Sequence, residues 1–141
     1  REAQLRALAE MENVRKRAQR DVESAHRFAV ERFAADMIEV RDTLELGLAA
    51  AGAAPEAAKF VEGSQATLRM VDKAFEKAGI AVVDPLGQSF NPELHEAIMA
   101  QPTADHPVGS VLTVVQKGFT LNGRLLRPAR VVIARSPDPA N

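Results

Sequence analysis

The 141-residue chain carries 18 basic and 19 acidic side chains, a formal net charge of −1, and 46% apolar residues. That balance fits one folded domain or two small ones and offers no bulk electrostatic case for nucleic acid. The chain has no cysteine, which excludes disulfides, thiol nucleophiles and Cys-based zinc sites, and no apolar run near the roughly 20 residues that span a bilayer.

Aromatic side chains are few: six Phe, with no Trp and no Tyr. An elongated molecule with several small cores is therefore expected, rather than one large core. The chain opens on Arg1 inside a helical pattern, without Met and without a signal peptide, as a fragment lacking its natural N-terminus would. Cysteine usage suits a reducing compartment, and a cytoplasmic location is expected.

Residues 1–46 hold neither Pro nor Gly and are rich in Ala, Glu, Arg and Leu, all good helix formers. Ala3, Ala7, Met11, Val14, Ala18, Val22, Ala25, Ala29, Phe33, Asp36, Val40 and Leu44 follow a 4-4-3 spacing, and only Asp36 is not apolar. An 11-residue repeat of this kind gives a straight or slightly right-handed supercoil. A helix of about 40 residues would be ~60 Å long, more than the rest of the chain can cover. Self-association is predicted, with Met11, Val14, Ala18, Val22, Ala25, Ala29 and Phe33 in the dimer interface. The seam is rich in Ala, so the helices approach closely but gain little area per turn.

After the small-residue break around Gly52, Pro55 suits the first turn of a second helix. Its apolar face is Phe60, Leu68, Val71, Phe75 and Ala78, and Gly79 closes it. Doubled in a dimer, the two helices would form four around one core. From Ile80 the pattern turns to short strands punctuated by Pro and Gly: GIAVVDPLGQSF, HEAIMAQP, GSVLTVVQKGF and ARVVIARS. The expected architecture is α+β. A dimerising coiled-coil helix covers 1–34, a four-helix-bundle region 35–78, and a small all-β domain 79–141, with a disordered tail from about 136.

No phosphate loop, dinucleotide fingerprint, HExxH or GxSxG motif is present. His26 reads as a surface or interface residue, His106 as a solvated loop residue. His95 reads as the stitch of a polar turn, in preference to an acid/base partner of Glu93 or Glu96. The chain is read as a non-enzyme that needs no cofactor and no metal.

The sharpest feature is QKGFTLNGRLLRPARVVIA (Gln116–Ala134). Asn122-Gly123 is the preferred dipeptide of a two-residue type I′ turn. Lys117 to Arg135 carries five basic residues and no acidic one. Ala129, Val131 and Ile133 alternate with Arg130, Val132 and Ala134, so both faces hold apolar residues. Pro128 points to an edge or a bulge. Two readings remain at this point: edge protection by basic residues, or an apolar docking surface rimmed by arginine. A dimeric nucleic-acid module using the basic hairpin is the alternative from another class, but Phe119 is the only stacking aromatic there.

Four stretches, EMENVRKRAQRDVESAHRFAVERF (10–33), FVEG (60–63), FNPELHEAI (90–98) and GSVLTVVQKGFTLNGRLLRPARVVIA (109–134), resemble the GrpE family. These are the nucleotide exchange factors of DnaK-type heat-shock chaperones. The resemblance covers nearly the whole chain and implies a parallel homodimer whose β-domain docks on the chaperone's nucleotide-binding domain, with neither nucleic acid nor membrane as partner. The family's β-domain contacts fall on Val115, Arg124 and Ile133, with Arg124 pairing a chaperone carboxylate. Its helix contacts fall on Arg15 and Phe28. A further contact that is often basic in the family is Ser24 here. Gly63 matches a bundle-helix position where a side chain would crowd the packing and tilt the β-domain.

Overall fold

A computed structural model describes residues 1–138. Helix α1 spans Glu2–Phe28 and α2 spans Glu31–Ala51; a 3₁₀ turn at Pro55–Ala57 leads into α3, Ala58–Lys77. Six strands follow: β1 Ile80–Val83, β2 His95–Pro102, β3 Val111–Gln116, β4 Gly118–Leu121, β5 Arg124–Arg127 and β6 Ala129–Arg135. The chain is α+β, with long helices preceding a small all-β unit, in the order expected. Among the described residues no helix is long and apolar enough to cross a membrane. Of the tail expected from Ser136, the last three residues lie outside the described part.

The long helix differs from its sequence pattern in one respect: it is interrupted at Ala29 and Val30. Val30 leaves helical geometry at φ −95°, ψ 9°, and the ladder resumes where the Ala34 amide donates to the Val30 carbonyl at 2.7 Å. The 4-4-3 spacing runs through this break unchanged, because a pattern of apolar residues reports faces and not the backbone contacts that interrupt a helix.

The two pieces bury different things. No residue of helix α1 is fully buried within the chain: Met11, Val14 and Val22 are all well exposed, and only Phe28 at its end packs, half-buried, against the first core. Helix α2 buries Ala34, Ile38 and Arg41, a stripe distinct from the seam residues Phe33 and Val40, which stay exposed. One face of α2 thus serves its own chain and another is left open. Helix α3 buries Phe75 and ends beside Gly79, whose φ of +84° makes it the residue that stops the helix. A Cβ on Gly63 would have nothing within 4 Å, so the crowding expected there does not arise within the chain.

The strands form two three-stranded sheets, ordered β1-β4-β5 and β2-β6-β3. This corrects the hairpin. The turn Asn122-Gly123 forms as predicted, with φ of +47° and +86°, but its arms are only β4 and β5. Pro128 is the corner at which the chain leaves the first sheet for the second, where β6 is the central strand. The apolar residues on both faces of β6 follow from that position. Ala129 and Val131 are fully buried and Ala134 nearly so, Val132 and Ile133 are half-buried, and Arg130 is exposed; β6 has both edges paired, and Ala129, Val131 and Ile133 pack into the second core. Ala129, Val131 and Ala134 are core, not docking surface. The sheets approach so closely at this corner that a Cβ on Gly118 would come within 2.5 Å of the Ala129 nitrogen.

Two small cores result. Ala34, Ile38, Phe75, Ile80, Phe119 and Leu121 join α2, α3, β1 and β4. Val111, Ala129 and Val131 form the second, with Val83, Phe90, Val114 and Ile133 packed on it. Beside it, His95 is buried and accepts the Asn91 amide at Nδ1, 2.9 Å, stitching the turn as expected. Burial lowers its pKa below 6.5, so the unfolded chain binds the proton more readily than the folded one. Stability contributed here is present above about pH 6.5 and is lost as pH falls towards the folded value. The urea midpoint is expected to drop between pH 7.5 and 5.5, and His95→Gln should flatten that dependence; an equal slope in the variant would assign it to other groups.

Candidate functional site

The hairpin tip lies on the helix break. The Asn122 side-chain amide donates to the Arg27 carbonyl at 2.8 Å, and the Arg27 guanidinium donates to the Asn122 carbonyl at 3.1 Å. Two residues on, the Arg124 guanidinium sits 3.6 Å from the centroid of the Phe28 ring and donates to Glu31 at 3.2 Å. The break is therefore flanked by residues that hold the tip. Each contact is modest: an exposed ion pair contributes about 0–1 kcal/mol and an exposed cation–π stack about 0.5–1 kcal/mol.

A second attachment lies further along α2. Arg127 grips Asp42 with both terminal nitrogens, 2.5 and 2.7 Å, and Gln116 reaches the same carboxylate at 3.3 Å. Lys117 donates to Glu45 at 2.7 Å. Glu45 also accepts from Arg41, which donates to Asp72 of α3 at 2.6 Å. The chain Lys117–Glu45–Arg41–Asp72 ties the link between β3 and β4 to both helices. Burial raises the pKa of Glu45, but Lys117 and then Arg41 more than reverse this, so it is held below 4.5. For Arg41, burial opposes the charge, and Asp72 followed by Glu45 more than offsets it.

These pairs change the picture of the basic run. Arg124, Arg127 and Lys117 are turned onto acidic residues of α2, so three of the five basic groups hold the helix and do not form a free cationic surface. Sequence reading passed over their partners. Glu31, Asp42 and Glu45 are 11 and 3 residues apart, which puts them on one face of α2, an acidic counterpart to the hairpin. That signal was available. Arg41 offered a partial signal, Glu45 at i+4 on the same helix; its burial and its pairing with Asp72, 31 residues away, had none.

The candidate partner contacts are distributed. Phe28 and Arg124 come together directly. Val115 and Ile133 belong to the other sheet: Val115, at 53% exposure, is the extra residue where the β3–β6 register shifts between Val114 and Gln116, whereas Ile133 is half-buried against the second core. A bulge of this kind re-aims a side chain. Arg15 stands on exposed α1, bonded to Glu12 at 2.6 Å, 13 residues before Phe28 and so about 20 Å up the axis. The seam residues Met11, Val14, Ala18, Val22, Ala25, Ala29 and Phe33 are exposed in the single chain. An open, mainly apolar groove of about 490 Å³ between α2 and α3, lined by Val40, Leu44, Leu48 and Phe60 among others, continues that uncovered face.

The architecture is a helical stalk carrying a two-sheet head, the two joined by ion pairs. The chain belongs to the GrpE family, whose family model matches residues 1–135. It is 51% identical to Protein GrpE of Methylococcus capsulatus over 133 residues, covering 94% of this chain and 72% of that protein. It is 49% identical to Protein GrpE of Thioalkalivibrio sulfidiphilus over 134 residues, 95% and 72% of the two chains. Against Protein GrpE of Pseudomonas aeruginosa the identity is 48% over 134 residues, 94% and 72% of the two chains. Membership of this family supports a role as a co-chaperone of DnaK-type heat-shock chaperones in nucleotide exchange.

Proposed function

We propose that this chain binds the nucleotide-binding domain of a DnaK-type chaperone, holds its cleft open and so releases ADP, with no hydrolytic activity of its own. The observation that carries the reading is the family match through residue 135, which extends over both the stalk and the head. The mechanism is linkage. A protein that prefers the open state shifts the population towards open, and ADP prefers the closed one, so each weakens the other's binding by the same factor. Moving a 1:99 equilibrium to 99:1 takes ~5.5 kcal/mol of differential affinity, and no residue of this chain need touch the nucleotide. Arg124, Phe28, Val115, Ile133 and Arg15 are the proposed contacts. Arg124 keeps free donors for a partner carboxylate, since only one of its terminal nitrogens bonds Glu31.

Stopped-flow release of a fluorescent ADP analogue from a purified DnaK-type chaperone tests this. The off-rate should rise with added protein, and an off-rate unchanged at saturation would sink the proposal. Arg124→Ala should raise the half-saturating concentration by about tenfold or more, the loss of a hot-spot residue, while leaving the circular dichroism spectrum unchanged.

The working unit is proposed to be a homodimer joined along α1 and the open face of α2 and α3. Support comes from the exposed seam and from Val40, Phe60 and Met70, which are 56–73% exposed, more apolar surface than a lone helical pair normally leaves to water. Light scattering should read twice the 15.2 kDa chain mass; a single-chain mass at micromolar concentration would refute the pairing.

A further inference from the structure

We infer that Asn122 and Glu31 are positioning residues that clamp the hairpin tip onto the helix break, so that Phe28 and Arg124 form one composite binding platform rather than two separate contacts. This rests on the proposed exchange function. The two side chains are 96 residues apart in sequence and belong to different elements, yet the guanidinium carbon sits over the ring, 3.6 Å from its centroid. Two independent ties impose that arrangement. Glu31, just past the break, holds one Arg124 nitrogen from the side at 3.2 Å. Asn122 and Arg27 exchange a reciprocal pair of hydrogen bonds, which sets the depth and angle of the turn.

The surroundings accommodate this use of Asn122. Its amide donates to the Gly79 carbonyl through the backbone at 2.8 Å, and a Cβ on Gly79 would overlap its side-chain amide. Gly79 therefore both stops α3, at φ +84°, and leaves the room in which the Asn122 side chain turns to reach Arg27. A type I′ turn needs only positive φ at this position, which Gly supplies as well as Asn. The asparagine side chain is thus free of any duty in the turn, and what it touches is the stalk. On binding, a partner carboxylate would take Arg124 nitrogens that Glu31 leaves free, while the ring stays beneath the guanidinium. The rotamer freedom that an unheld arginine loses on binding has already been given up in the free protein.

The test is the ADP-release titration with the full chain and a purified DnaK-type chaperone. Asn122→Gly keeps the turn and removes only the side chain. It is expected to raise the half-saturating concentration about threefold to tenfold with the maximal off-rate unchanged, and Glu31→Gln is expected to act in the same direction. In an Arg124→Ala background both should have no further effect. If Arg124→Ala weakens binding while Asn122→Gly and Glu31→Gln do not, the clamp is refuted and the exchange function stands. Equal effects of Asn122→Gly with and without Arg124 would also refute it, since the residue would then act on folding and not through Arg124. If the chain fails to accelerate ADP release at all, the underlying function is what fails. Helical circular dichroism melts of each variant identify one that has simply unfolded, and for such a variant the native-like Glu31→Gln titration decides.

Discussion

Phe119→Ala is expected to lower the unfolding free energy by about 4 kcal/mol, within the range for truncating a fully buried Phe. The ring is 1% exposed and meets Phe75 edge-on, with centroids 5.9 Å apart and planes at 89°. Ala34, Ile38, Ile80 and Leu121 complete the cluster, so the ring is the point at which α2, α3 and the sheet β1-β4-β5 share a core. Two guanidinium groups lie near it, Arg127 at 5.3 Å and Arg41 at 5.5 Å from the centroid. Removing the ring therefore opens a cavity and also strips the apolar platform beside both ion-pair chains. Phe119→Leu, closer in volume, should cost less than half as much. Urea denaturation at one fixed chain concentration measures both, the concentration being held because self-association adds to apparent stability. A loss below 1 kcal/mol for the alanine variant would mean that the head is held to the stalk by its ion pairs alone.

Arg41→Ala is expected to cost about 2 kcal/mol. Breaking a fully buried ion pair costs about 3–5 kcal/mol because the abandoned partner is stranded without water. Here only the arginine is buried: its side chain is 5% exposed, whereas those of Glu45 and Asp72 are 36% and 47% exposed. The two carboxylates rehydrate when the guanidinium goes, which brings the cost below that range. Arg41→Met keeps much of the stem and should recover part of the loss, separating packing from charge. In a double-mutant cycle with Asp72→Asn, the two changes should be clearly non-additive. Strict additivity would show that the 2.6 Å contact contributes nothing beyond packing. The loss should also shrink at acid pH. Glu45 has a folded pKa below its usual 4.5, so its stabilising share is complete above about pH 4.5 and disappears as pH falls through the lower folded value.

Much of this protein could be read locally. The helix formers of residues 1–46, the Pro55 entry, the Gly79 stop and the Asn122-Gly123 turn each act through the backbone preferences of one or two residues, so they survive any tertiary context. The strand HEAIMAQP forms as β2 over His95–Pro102, the same residues, with Pro92 shortly before its start and Pro102 at its end. Phe28 and Arg124 were singled out as partner contacts through family resemblance, not from their local pattern. What was misread is equally specific. The second arm of the hairpin looked like one strand with apolar residues on two exposed faces, whereas it is an edge strand, a corner at Pro128 and the central strand of another sheet.

By itself, then, the sequence determined which segments are helical, which are extended, where the chain turns, and that one stripe along α1 and α2 is left apolar. Only the tertiary structure decided that the helix breaks at Ala29–Val30, that β5 and β6 part company at Pro128, and that Arg124, Arg127 and Lys117 face α2. The physical reason is range. Propensity and periodicity act over a few residues, while those features depend on pairs such as Asn122 with Arg27 and Arg127 with Asp42, 95 and 85 positions apart. A carboxylate on one helix can choose its arginine only once the sheets have brought it within reach.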